Sequence, residues 1–232
     1  MIPLRDTVPS RRTPVAVLLL ILVNAALFAV ELTLPERELT SIVNRYGIVP
    51  SAWAGFAPRE YLHDPRLALA FAAALVGSQF LHAGWLHIAG NMWTLWIFGD
   101  NVEDRMGPLR FLVFYLACGV AAGLTHLYFH PASEVPTIGA SGAIAGVMGS
   151  YFVLYPRAKV ITLVPFFFLF LVELPAVVYL GFWFLAQLFS GTLALSQGEQ
   201  AGGIAFLAHG GGFVCGIATF WIFLRRGSGR RA

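Results

Sequence analysis

Three short stretches of this chain hold side chains of the types that acyl transfer needs. The first carries His82, His87 and Asn91. The second is Gly139-Ala140-Ser141-Gly142, and the third is Ala208-His209 followed by Gly210, Gly211 and Gly212. A serine hydroxyl about 2.6–3.2 Å from an imidazole becomes a nucleophile, because the ring takes its proton as the oxygen attacks a carbonyl. Ser141 and His209 are the pair that fits. No Asp or Glu lies in the apolar segments that hold them, so the pair forms a dyad rather than a triad. The oxyanion of such an attack needs preorganised donors. The Asn91 amide, a ring N–H of His87 and the backbone N–H of Ser141 are the candidates. The last sits at a helix N-terminus, where unpaired amides favour an anion. His87 and Asn91 are four residues apart and share a helical face. His82 opens the same segment, offset around its axis.

The segments that must position these groups are apolar. The 232 residues are 58% hydrophobic and 12% charged, with mean hydropathy +0.73. A soluble domain is typically about 45–50% apolar and about 25% charged. A membrane-spanning helix needs about 20 apolar residues, and six stretches approach that: residues 14–32, 86–98, 111–129, 141–155, 165–195 and 204–224. The run 67–76 is too short to span and reads as interfacial or re-entrant. A secretory signal peptide is the other reading of 14–32, with Arg5, Arg11 and Arg12 ahead of it. The run is long for that, and no small-residue cleavage site follows Glu31. These features predict an all-α membrane protein, read as one domain over 1–232.

Lys and Arg placement sets the expected orientation. Basic residues precede the first segment, follow the second (Arg105, Arg110) and the fourth (Arg157, Lys159), and fill the tail (Arg225, Arg226, Arg230, Arg231). The loops after the third and fifth segments carry none. Both termini, 1–13 and 225–232, are therefore expected in the cytoplasm. The long loop after the first segment breaks the pattern with Arg37, Arg45, Arg59 and Arg66, but long loops are weak topology signals. The second, fourth and sixth segments then begin on the non-cytoplasmic side. Ser141, His209, His87 and Asn91 fall at similar depth there. Polar groups at membrane depth are costly and usually functional. Gly142, Gly146 and Ser150 recur every four residues, as do Gly212 and Gly216. Such small-residue faces let membrane helices approach closely, and these two faces carry Ser141 and His209. Cys118 and Cys215, each in an apolar run, read as small packing residues.

Taken together, His82-Ala83, His87 and Asn91-Met92, then Glu103-Asp104-Arg105-Met106-Gly107, then Gly139-Ala140-Ser141-Gly142, then Ala208-His209 with Gly212 and Gly216, resemble the rhomboid family of intramembrane serine proteases. The motifs occur in order between about residues 80 and 220. The resemblance implies a six-helix bundle of bacterial type with a long membrane-associated first loop, here residues 36–80. It implies hydrolysis of peptide bonds in or near transmembrane segments, with Ser141 as nucleophile and His209 as base. It further implies that His87 and Asn91 contribute to the oxyanion site, that His82 is a supporting residue and that Glu103–Arg105 is a structural motif. The expected partners are transmembrane protein substrates and the lipid bilayer. No cofactor, metal or nucleic acid is expected, and the oligomeric state is open. Some members place an aromatic ring one turn after the nucleophile, packed on the histidine; this chain has Ala145 there. A Trp-Arg pair found in the first loop of some members has no counterpart.

The main alternative is a catalytically inactive relative that binds membrane clients, although such proteins typically lack the Ser or His kept here. A transporter lined by the histidines, Asn91 and Gln187 would call for repeated or broken helix pairs. A zinc protease would call for H-E-x-x-H, and an aspartyl protease for two intramembrane aspartates, where Asp100 stands alone. The soluble G-x-S-x-G elbow fails at Ala143. His63, His126 and His130 read as non-catalytic. Glu173 reads as interfacial or facing a water-filled cavity, and Trp183 and 166–168 as lipid-facing or packing groups. The Gly-rich loop 196–203 and the fifth segment are candidate gates.

Overall fold

Long apolar runs, free of interior proline, build the helices of this protein, and prolines and glycines mark their ends. The computed structural model describes residues 1–56, 58–166, 168–196 and 206–225. A strand, β1 (Ile2–Asp6), leads to the first apolar helix, α1 (Val15–Glu31). The loop that follows folds into four short helices, α2 (Glu36–Tyr46), α3 (Pro50–Trp53), α4 (Pro58–His63) and α5 (Pro65–Gly77), and a 3-10 turn Ser78–Phe80. The chain then bends by 87° into α6 (Trp85–Met106). Next come α7 (Pro108–Phe129) and α8 (Ser141–Leu154), a hairpin of β2 (Lys159–Phe166) and β3 (Phe168–Pro175), α9 (Ala176–Ser196) and α10 (Phe206–Phe223).

Helices α7, α9 and α10 are long and apolar enough to cross a membrane. The bent pair Pro65–Phe80 and Trp85–Met106 passes the same test jointly, and α1 and α8 are shorter apolar helices. With α6 they form a helical membrane bundle whose core runs through α1, α6, α7, α8, α9 and α10. Helix α8 is its axis. Every residue from Ala143 to Tyr151 is buried, and a helix apolar on all sides belongs at the centre.

The three-stranded antiparallel sheet, in the order β1-β2-β3, is an addition that the hydropathy pattern did not indicate. It moves the start of the fifth helix from 165 to Ala176. Residues 159–175 are rich in β-branched and aromatic side chains, and a continuous apolar run of that kind cannot be told from a helix by periodicity. Glu173 lies in β3, exposed, with its carboxylate 2.8 Å from Lys159 Nζ. It is not among the residues that line the cavity described below. β1 is held on α6 by Trp93 Nε1, which donates to the Pro3 carbonyl at 2.6 Å. Asp6 accepts hydrogen bonds from the Tyr151 hydroxyl and, at 3.1 Å, from Asn101 Nδ2. Burial pushes the Asp6 carboxyl above its ordinary range.

Glu103 shows why the motif after the second segment is structural. Its carboxylate is buried and accepts from the N–H groups of Ala16 (3.0 Å) and Val17 (2.9 Å). It thus satisfies orphan donors in the first turn of α1, where negative charge is favoured. Nearby, the Arg105 backbone carbonyl accepts the Arg225 backbone N–H at 3.0 Å, and the Arg110 guanidinium donates to the Leu224 carbonyl at 2.7 Å. One short stretch therefore ties the start of α1 to the end of α10. In the first loop, Asp64 caps α5 by accepting from Arg66 and Leu67 N–H, with Pro65 at the first helical position. The Gly-rich loop 197–203 and the tail from 226 lie outside the described residues.

Candidate active site

The turn into α8 depends on Gly139. Its φ is +124°, and a Cβ there would stand 2.6 Å from His87 Nε2. Only glycine suits both the conformation and the space. Its N–H donates to the Ser78 carbonyl at 2.7 Å, so the turn is pinned to the first loop. Ser141 follows as the first residue of α8. The N-cap position, Ala140, supplies no side-chain hydrogen bond to the first-turn amides.

His209 reaches Ser141 because α8 and α10 touch backbone to backbone. A Cβ on Gly212 would run into the Gly142 carbonyl, and one on Gly216 into the Gly146 carbonyl. A Cβ on Gly149 would meet the Phe213 carbonyl, and one on Gly142 the side chain of Ala122. This seam lies on the faces that carry the two polar residues. Ser141 Oγ is 2.7 Å from His209 Nε2, inside the range that proton transfer needs.

His87 and Asn91 come from α6 and flank the same turn. The Ala83 N–H donates to His87 Nδ1 at 3.4 Å, which leaves Nε2 to carry the ring proton. Asn91 is buried, and its Nδ2 makes no hydrogen bond among the described residues. A buried amide donor without a partner is uncommon. A cavity of about 400 Å³ joins these groups, lined by His87, Asn91, Ser141, His209, Trp183 and Gln187 among others.

His82 is placed differently. It precedes α6, at the bend, and does not line the cavity. Its buried ring packs edge-on against His87 at 5.1 Å, and its backbone N–H donates to Glu31 Oε2 at 3.2 Å. It therefore backs His87 and ties the bend to the end of α1. His126 does not itself line the cavity; it hydrogen-bonds Thr137, which does, through Nε2 at 2.7 Å and stacks on His130. Cys118 packs directly beneath Gly146, as a small packing residue does.

Two residues stand in the site that sequence reasoning gave no role in it. Gln187 Oε1 is 2.7 Å from His209 Nδ1, so the imidazole has a partner on each nitrogen. The Trp183 ring lies 6.1 Å from the His209 ring at 31° and also contacts Phe213. It faces the site rather than only lipid. Both come from α9. The orienting group expected of a triad is an acidic residue, and the segments of Ser141 and His209 carry none. An amide on a third segment, four residues after a tryptophan, was the available signal.

A family model, the Rhomboid domain, matches residues 72–226. Among curated proteins, the chain is similar to Rhomboid protein 1, mitochondrial, of Saccharomyces cerevisiae, at 28% identity over 152 residues. That match covers 64% of this chain and 41% of the relative. The Rhomboid protease GluP of Bacillus subtilis is 43% identical over 70 residues, or 30% of this chain and 13% of the relative. The Presenilin-associated rhomboid-like protein A, mitochondrial, of Danio rerio is 34% identical over 137 residues, covering 56% and 36%. The chain thus spans less than half the length of these relatives.

Proposed function

This chain belongs to the rhomboid family, and from that premise we propose that it is an intramembrane serine endopeptidase that cuts transmembrane proteins in or near their membrane segments. The observation that carries the reading is the 2.7 Å contact between Ser141 Oγ and His209 Nε2, beside a cavity with unspent donors.

His209 Nε2 takes the hydroxyl proton as Ser141 Oγ attacks the carbonyl carbon of the scissile peptide. The carbonyl oxygen becomes an oxyanion. Asn91 Nδ2, His87 Nε2–H and the Ser141 N–H donate to it, where fixed dipoles act most strongly. The protonated imidazole then gives its proton to the leaving amine, and the bond breaks to an acyl-serine. Water, activated by His209 in the same way, hydrolyses that ester.

Helix α8 has 14 residues, a length of about 21 Å against a hydrocarbon core of about 30 Å. Its first residue, Ser141, therefore lies below one membrane face, and the cavity is its route to water. We place that face outside, with both termini in the cytoplasm of a cell whose surface membrane holds the chain, from the Arg and Lys distribution. A substrate helix must unwind locally to be cut, because its carbonyls are engaged in i→i−4 bonds. Helix-weakening residues near the cut are thus favoured.

The test is labelling of detergent-purified protein by a fluorophosphonate, compared with Ser141→Ala and His209→Ala of equal helicity. The wild type is expected to label and both variants to lose the signal. Labelling that survives Ser141→Ala overturns the assignment. A folded wild type that neither labels nor cuts a transmembrane substrate favours the client-binding alternative.

A further inference from the structure

We propose that Gln187 is a positioning residue for the base. In this assignment, its side-chain carbonyl holds His209 in the Nδ1–H tautomer, and Trp183, one turn earlier on α9, holds the plane of the ring. The proposal rests on the serine-protease reading and deepens it.

A neutral imidazole carries one proton on either nitrogen. Only the Nδ1–H form leaves a lone pair on Nε2, the nitrogen 2.7 Å from Ser141 Oγ. The oxygen of an amide can only accept, so Gln187 Oε1, 2.7 Å from Nδ1, selects the form that can act as base. The wrong tautomer is costly in serine proteases, reducing turnover about 10⁴-fold where the orienting carboxylate gives way to an amide that turns its NH2 group to the ring; here the amide turns its oxygen to the ring. A neutral orienting group also suits the setting. A carboxylate there would stand as a buried charge in an apolar bundle, an expensive arrangement. An amide dipole supplies orientation and partial stabilisation of the imidazolium at lower cost.

Trp183 and Gln187 are four residues apart, so both project from one face of α9. Trp183 stands 6.1 Å from the His209 ring. The position one turn after the nucleophile on α8 is Ala145, fully buried, whose methyl group offers no ring to stack on the imidazole. The function of holding the base thus falls to a helix that carries neither Ser141 nor His209. A displacement of α9 would remove both restraints together and leave His209 free to adopt the inactive tautomer.

Among the described residues, the titratable side chains within electrostatic reach of His209 on neighbouring helices are His87 on α6 and His126 on α7. The test leaves both intact. It measures the second-order rate of fluorophosphonate labelling against pH in purified wild type, Gln187→Leu and Gln187→Glu, with Ser141→Ala as blank. Gln187→Leu is expected to label about 100-fold more slowly with the melting temperature little changed. Gln187→Glu is expected to keep labelling while the acid limb of its pH–rate profile moves to higher pH, because a carboxylate stabilises the imidazolium. Histidine ¹⁵N spectra, with the His209→Ala spectrum as assignment, should show the Nδ1–H form in the wild type and a mixed population in Gln187→Leu. Should Gln187→Leu misfold, the acid limb of Gln187→Glu decides. Wild-type labelling that needs Ser141 and His209, together with an unshifted limb in Gln187→Glu, overturns the positioning role alone. Labelling indifferent to Ser141→Ala overturns the catalytic reading beneath it.

Discussion

Helices α8 and α10 meet along a seam of glycines in which backbone lies against backbone, whereas α9 meets the bundle through large side chains and leaves much of its surface bare. Phe182, Leu185 and Phe189 on α9 are 60%, 63% and 69% exposed, while α8 is buried from Ala143 to Tyr151. Both arrangements hold His209. The seam sets its distance from Ser141, and α9 sets its proton and its ring plane through Gln187 and Trp183. A rigid contact suits the first task, because a Ser–His pair tolerates little error in distance. A sparsely packed helix can still perform the second, since a hydrogen bond and a ring contact need only one face. The price is that α9 is the least buried of the three helices long and apolar enough to cross a membrane.

The comparison breaks most visibly at the seam. Gly216→Leu should cost more than the roughly 1–3 kcal/mol of ordinary overpacking, because the obstacle is the Gly146 carbonyl and not a side chain that can turn away. Loss of folded protein on size-exclusion chromatography and loss of labelling together are expected; a folded, active variant would mean that the two backbones are not in contact. Next in size come the active-site variants already described, Ser141→Ala and His209→Ala, which remove labelling without unfolding, and then the Gln187 pair. Trp183→Ala sharpens the contrast further. It removes the ring beside His209 and Phe213, and should lower the melting free energy by about 1–3 kcal/mol and labelling about tenfold. Equal rates before and after would deny the ring any part in holding the base. At the small end, Leu185→Ala on the bare face of α9 should change stability by less than about 0.5 kcal/mol, read by thermal melting in detergent. A large loss there would show that α9 is packed against something more than lipid.

The elements differ in how much of them could be read in advance. The six apolar helices stand close to the six apolar runs, because hydropathy and helix length are local properties that the bilayer enforces. Ser141 and His209 were legible as a pair because few polar residues survive in such segments without a purpose, and the glycine spacing announced the close approach. The sheet was not legible. β1 pairs with a strand more than 150 residues later, Ile2 opposite Leu163, and strand pairing across that distance leaves no periodic mark on either partner. His82 was expected at the opening of the second helix and stands before it, because the 87° bend cannot be read from the apolar run alone.

The amino-acid order by itself determined which residues lie in apolar helices and which faces are small enough to close. It also placed Ser141 and His209 at the starts of two apolar segments with small-residue faces. The tertiary structure alone decided what stands on the far side of that histidine. Gln187 carries no charge and sits on a different helix, 22 residues from His209. An amide among apolar residues has no direction until the helices pack. Once they do, a 2.7 Å contact gives it one, because a hydrogen bond is a property of two atoms in space and not of either residue in its sequence.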